Sequence, residues 1–323
     1  MRQRSCRRNA QTGVTLIELM ISITLGMLVI AAGLSLLLST KSTYVAGDDN
    51  TRLLDTGRYA IESITRSVRQ ASFENLDSNQ APIVNDGTLS PNIDGFDART
   101  YEIGLGTAAV AATPTSVGGN VSDILRLRFF GASTASSAAP TADKTILNCA
   151  GVPVEGATNM AQAENGRGWS IYFVHRPATG EPELRCGFLN VVGALESTAI
   201  ASGVESFQVL YGVDRNADGI PDQFMTATAI AGAAVPKQLW NRVVAVKISM
   251  LIRGNRLERA DAPNTVFRLF GPEYTNTNDL GTQIDEQNTA QVPVADRSRT
   301  RKIFSTLIQL RNTASGGNLV ALP

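Results

Sequence analysis

The sequence predicts an α+β protein: one long N-terminal helix packed on an antiparallel β-sheet body with long loops. Three observations carry that expectation. The stretch Leu19–Thr40 holds no charged residue, and no proline occurs before Pro82. After it, apolar residues recur every three or four positions, the mark of an amphipathic helix. Further on the period falls to two, with no βαβ alternation, which favours antiparallel over parallel pairing.

The N-terminus comes first. "MRQRSCRRNAQTG" places Arg2, Arg4, Arg7 and Arg8 ahead of the apolar run without one acid. A secretory signal would have an apolar centre of about 7–15 residues, and this one is longer. About 20 apolar residues suffice to cross a membrane, and the arginines would then stay cytoplasmic. Glu18 breaks this pattern, because it stands at the start of the run. A carboxylate within a membrane helix costs at least ~2.5 kcal/mol, so a partner is expected for it.

The helix is expected to continue. Leu54, Gly57, Ile61, Ile64, Val68 and Ala71 form an apolar stripe, and Arg52, Arg58, Arg66 and Arg69 fall off it. A single helix from Val14 to about Ser72 would span about 90 Å, with Gly26, Gly33 and Gly47 as its soft points. In the body, "SDILRLRFF" sets Leu125, Leu127 and Phe129 against Arg126 and Arg128. "WSIYFVHR", "VESFQVLYGV", "RVVAVKISMLI" and "IFSTLIQLRN" are further β-rich runs. In the fourth of these five runs, Val244, Val246, Ile248, Met250 and Ile252 share a face. Asp261 to about Ser298 reads as irregular, and the sheet as one meander. Residues 41–75 are therefore an amphipathic continuation and 76–323 a β-rich body.

Composition excludes several function classes. The 323 residues carry 29 basic and 29 acidic side chains. Without the four leader arginines the balance is 25 against 29, a mildly acidic body with no electrostatic reason to bind nucleic acid. His175 is the only histidine, so a catalytic triad or a zinc site would rest on it alone; no nucleophile elbow or phosphate loop is present, and no enzyme is expected. Of three cysteines, Cys6 lies in the leader. The remaining pair, Cys149 and Cys186, reads as a disulfide formed in an oxidising compartment.

"GVTLIEL", behind a short basic leader and ahead of an apolar helix, resembles the class III signal of type IV prepilins and type II secretion pseudopilins. Gly13 matches the last leader residue, Val14 the new N-terminus, and Glu18 the glutamate fifth in the mature chain. The resemblance implies a pilin-like fold, cleavage between Gly13 and Val14 by a membrane-embedded prepilin peptidase, and N-methylation of Val14. It implies that what precedes the amphipathic continuation divides into residues 1–13 (leader) and 14–40 (transmembrane or filament-core helix). It also gives Glu18 a partner: the Val14 amine of a neighbouring subunit, in a dry helix bundle where charge-assisted pairing is strong. Val14 departs from the family's commoner phenylalanine, and the membrane half lacks the proline many pilins carry. Chain length and the ending "RKIFSTLIQLRN" resemble PilW-like minor pilins, related to the usually shorter J-type minor pseudopilins. Implied are a non-enzymatic subunit held in the inner membrane with a periplasmic body, partnered by other minor pilins and the major pilin. It would prime pilus assembly and enter the pilus at or near its tip. A secretion pseudopilin and a tip adhesin are the alternatives.

"YGVDRNADGIPDQF" contains the other chemistry. Asp214, Asn216 and Asp218 alternate, Gly219 permits a tight turn, and Asp222 follows, the front of an oxygen-rich calcium loop. Calcium would take the three side chains, the Ile220 carbonyl and Asp222. Met225 stands where an EF-hand has its closing glutamate. Similar acidic loops occur among PilW-like proteins, and some related pilins bind calcium with theirs. The same residues also suit a polar hairpin turn after Val213. Both readings stand open here, with possible calcium the expectation and no other cofactor foreseen.

Overall fold

A computed structural model describes residues 13–74, 89–101, 116–117, 120–134, 141–157, 159–177, 180–257 and 264–312. Residues 1–12 of the leader, Cys6 among them, lie outside this set. The first element is helix α1, Leu16–Gln70, unbroken through Gly26, Gly33 and Gly47. Its ends fall close to those expected from the pattern. Strands β1 (Ile93–Phe96), β2 (Ser116–Val117), β3 (Asn120–Val121) and β4 (Ile124–Phe129) follow. Next come α2 (Met160–Gly166), β5 (Gly168–His175), β6 (Glu183–Leu189), β7 (Leu195–Ser202), β8 (Val204–Val213) and β9 (Gln223–Met225). The chain continues with α3 (Ala227–Ala231), α4 (Pro236–Asn241), β10 (Val243–Leu257), β11 (Val266–Arg268), β12 (Gln283–Asp285) and β13 (Arg299–Gln309).

The single meander expected from sequence is corrected. The strands form a five-stranded sheet ordered β1-β4-β5-β6-β7 and a four-stranded sheet ordered β13-β10-β8-β9, every pair antiparallel. The split follows from burial. β8 is buried along its whole length and β10 along nearly all of it, which a sheet wet on one face does not permit. The stretch read as irregular supplies the cover: it holds the β11–β12 pair, and its Leu269, Ile284 and Val292 cluster with Leu251 of β10. Ser249 seals the contact by donating to the Leu269 carbonyl at 2.6 Å.

The chain divides into two units, up to Asp49 and from Asn50 onward. The last part of α1 thus goes with the β body, earlier than the residue 76 boundary drawn from sequence. Within the second unit, Leu53, Ala60, Ile64, Val68 and Ala71 enter one core with both sheets, including Leu125, Leu127 and Tyr172 of the first and Val209, Ile248 and Met250 of the second. The buried stripe runs 53-57-60-64-68, a small rotation from the expected one; Leu54 and Ile61 are only half-buried. Gly57 explains the close approach, since a Cβ there would overlap the Phe304 ring of β13. Ser67 completes the join, its hydroxyl 2.8 Å from the buried Tyr172 hydroxyl. A buried phenol without a partner would cost about 1–3 kcal/mol.

Candidate functional site

The N-terminal signal occupies the start of α1. Gly13 and Val14 precede the helix and are exposed, and Thr15 caps it. The Thr15 hydroxyl accepts from the Glu18 backbone N–H at 3.3 Å and lies 3.5 Å from a Glu18 carboxylate oxygen. The S/T-x-x-E sequence is that of a capping box, here with the carboxylate meeting the Thr15 hydroxyl, and it gives "TLIE" a local role beyond the one the resemblance implies. Glu18 also adds a negative charge in the first turn, where the helix dipole favours it.

From here to Leu38 the large apolar side chains are exposed, and the helix is long and apolar enough to cross a membrane. Its hydroxyls make that surface apolar in effect. Ser22 donates to the Glu18 carbonyl at 2.7 Å, Ser35 to Ala32 at 2.8 Å and Thr40 to Leu36 at 2.8 Å. In hydrocarbon an unsatisfied polar group costs several kcal/mol, so hydroxyls folded back on the helix's own carbonyls are the tolerable kind.

The body places the remaining expected residues. Cys149 and Cys186 form a disulfide, with Cα atoms 6.2 Å apart, tying the loop after β4 to the middle of β6. His175 stands exposed at the end of β5, opposite Glu183 in register. The acidic segment is the connection between β8 and β9, which pair at Val213 and Gln223. Asp214, buried, accepts from the Ala217 and Gly219 amides at 2.6 and 2.7 Å. Asn216 and Asp218 each accept from the amide two residues on, and Asp222 accepts from Arg215 N at 2.7 Å. Gly219 has φ +84°, which makes the tight turn admissible. The Ile220 side chain is exposed. Oxygens of the right kind for calcium are present, but their acceptor directions serve the loop's own amides. Among the described residues no three His, Cys, Asp or Glu side chains gather closely enough to hold a metal ion.

Sequence reading missed the interior charges. At one end of the four-stranded sheet, buried Glu205 receives Arg301 at 2.7 Å and Arg253 at 3.2 Å, and Arg301 also reaches buried Glu286. On the outer face of the other sheet, Arg128 pairs with Glu164 and lies 4.3 Å from the Trp169 ring centre. Burial alone would push Glu164 up, but bonds from Ser90 and Arg128 bring it down to about 2. A third group has no cation: burial, then the charges of Asp97 and Asp279, push Asp123 well above the ordinary carboxylate range. Burial with the nearby Asp97 likewise raises Asp279 to about 6, against the hydrogen bond from Tyr274. Strand periodicity marks none of these, because each cluster joins positions far apart in the chain. The alternation of Arg126 and Arg128 was the single local hint.

Comparison with known proteins agrees with the geometry. Residues 171–312 match the family model Type IV Pilus-assembly protein W (PilW), and residues 8–34 match the prokaryotic N-terminal methylation motif. No curated protein matches the chain. Among solved structures, a type IV-like pilin from Thermus thermophilus is similar at 12% identity, over 81% of this chain and 98% of that one, with a TM-score of 0.36. The signal and the helix define the class: a type IV prepilin-like protein, anchored in a membrane by an apolar N-terminal helix. The body narrows it further. Over residues 171–312 the chain is similar to the PilW family of type IV pilus-assembly proteins, which supports a minor pilin.

Proposed function

We propose that this subunit primes type IV pilus assembly together with other minor pilins and the major pilin, and is incorporated at or near the tip. The observation that carries the reading is the joining of a PilW-like body to a prepilin-type N-terminus on one chain. Prepilin peptidase cuts after Gly13 and Val14 is N-methylated, leaving the body in the periplasm. Glu18 then pairs with the Val14 amine of a neighbouring subunit, where its exposed position at the head of the helix leaves it accessible. A buried carboxylate without that amine is strongly disfavoured, so the pair selects correct register. The family matches point to a structural role, and no reaction is assigned. Calcium at Asp214, Asn216, Asp218, Ile220 and Asp222 stays within the proposal, supported by the oxygen-rich sequence of the loop.

Two experiments test the reading. N-terminal mass spectrometry of membrane-derived protein is expected to show N-methyl-Val14; a chain beginning after Thr40 overturns it. With Glu18→Ala as the sole copy, insertion should persist while piliation falls. Normal piliation would remove Glu18 from assembly.

A further inference from the structure

Several of the body's arginines are held by carboxylates, among them Arg126 by Asp94, Arg128 and Arg167 by Glu164, and Arg253 and Arg301 by Glu205. Arg58, Arg66, Arg69 and Arg311 are not. All four are exposed, and none has a carboxylate partner among the described residues. They line one groove of about 770 Å³ between the end of α1 and the chain leaving β13. Its floor includes half-buried Ile61 and Thr65, and its far wall is fixed where Gln70 donates to the Leu147 carbonyl at 2.8 Å. The groove holds one acid, Glu62, against four guanidinium groups.

We propose that this groove docks an acidic segment of a co-assembling pilin subunit; the inference rests on the assembly reading above and gives one partner contact its chemistry. Arg58, Arg66 and Arg69 fall on one side of the helix within 11 residues, about 17 Å of its length. Planar guanidinium forks suit carboxylates bidentately, and half-buried Ile61 among them gives a side chain of the same segment an apolar contact. A nucleic acid is the poorer fit, because its phosphates would run beyond the groove across a body whose net charge is acidic. Four like charges held side by side also repel, so an anionic occupant relieves them.

The test uses the full chain in its native membranes, with a photoreactive side chain in place of Thr65 and, separately, in place of Leu28. Position 65 is expected to crosslink to a peptide rich in Asp and Glu from another protein bearing a prepilin signal. The yield should fall about fivefold in Arg66→Gln/Arg69→Gln, as it should at about 0.5 M salt, while the melting temperature of the body stays unchanged. Crosslinks from position 65 only to lipid, to nucleic acid, to residues 313–323 of the same chain or to a segment without acids would overturn the proposal. So would a yield indifferent to the double substitution. Position 28 separates the two readings. If it labels pilin helices and position 65 does not, the groove fails and assembly stands; if neither labels a pilin, both fail.

Discussion

One helix serves two environments in this chain. Between Leu16 and Thr40 it is apolar on every side save for Glu18, and its large side chains are exposed; from Asn50 it is striped, with Ala60, Ile64 and Val68 fully buried and the arginines outside. Backbone hydrogen bonding is the same throughout, so the difference lies wholly in what each half is built to meet. The first half turns the hydroxyls of Ser22, Thr24, Ser35 and Thr40 back on its own carbonyls, as hydrocarbon requires. The second needs a complementary surface, and Gly57 and Ser67 are shaped to one. A helix of uniform geometry thus reports its surroundings only through side chains.

The contrast can be broken at several points. The largest effect is expected from the body's crosslink: reducing Cys149–Cys186 should lower body stability by roughly 4 kcal/mol in a chain-entropy estimate, with no change in membrane insertion. Denaturant unfolding with and without reductant measures it, and alkylation of unreduced protein should find neither thiol free. Next, Ile64→Ala should cost about 3 kcal/mol, whereas Ile30→Ala should leave the body within about 0.5 kcal/mol of wild type. Equal effects in a melting experiment would mean that the two halves of the helix are not distinct. Gly57→Ala, forcing a methyl group against Phe304, should cost about 1–2 kcal/mol, while Gly33→Ala has open space and should not move the body's transition.

A smaller effect sharpens the contrast from the charge side. The body buries two carboxylates, Asp123 and Asp279, among other acids and with no cation beside them. Asp279 has its folded pKa raised to about 6, above its ordinary value of 3.8, and Asp123 shifts the same way. Groups raised in this sense favour the folded state fully below about pH 4, and that contribution is lost as pH climbs through 6. Body melting should therefore weaken from about pH 4 to pH 7 less steeply in Asp279→Asn than in wild type; identical slopes would remove Asp279 as a cause. The smallest effect concerns the β8–β9 connection. Because its carboxylates already accept amides, bound calcium should add under about 1 kcal/mol, a rise of about 2–4 °C that Asp218→Ala abolishes. No rise would leave the loop as a turn closed on itself.

Elements whose cause is local were legible in the residues alone. Charge-free length made the first half of α1, three- and four-residue spacing made the second, and "GVTLIE" carried the prepilin signal. Alternation marked β4, β5, β8, β10 and β13, and cysteine parity found the disulfide. β6 and β7 escaped because Arg185, Cys186 and Gly187, and the run of Ser, Thr and Ala in β7, dilute the two-residue period. The division into two sheets, the rotation of the helix stripe toward Leu53 and the cover over β10 were decided only by tertiary structure. So were the Glu205–Arg253–Arg301 cluster and the groove of unpaired arginines. The physical reason is range. Helix period and membrane hydropathy are set by residues a few positions apart. A strand buried on both faces, or a carboxylate met by arginines 48 and 96 positions away, exists only once distant segments have been brought together.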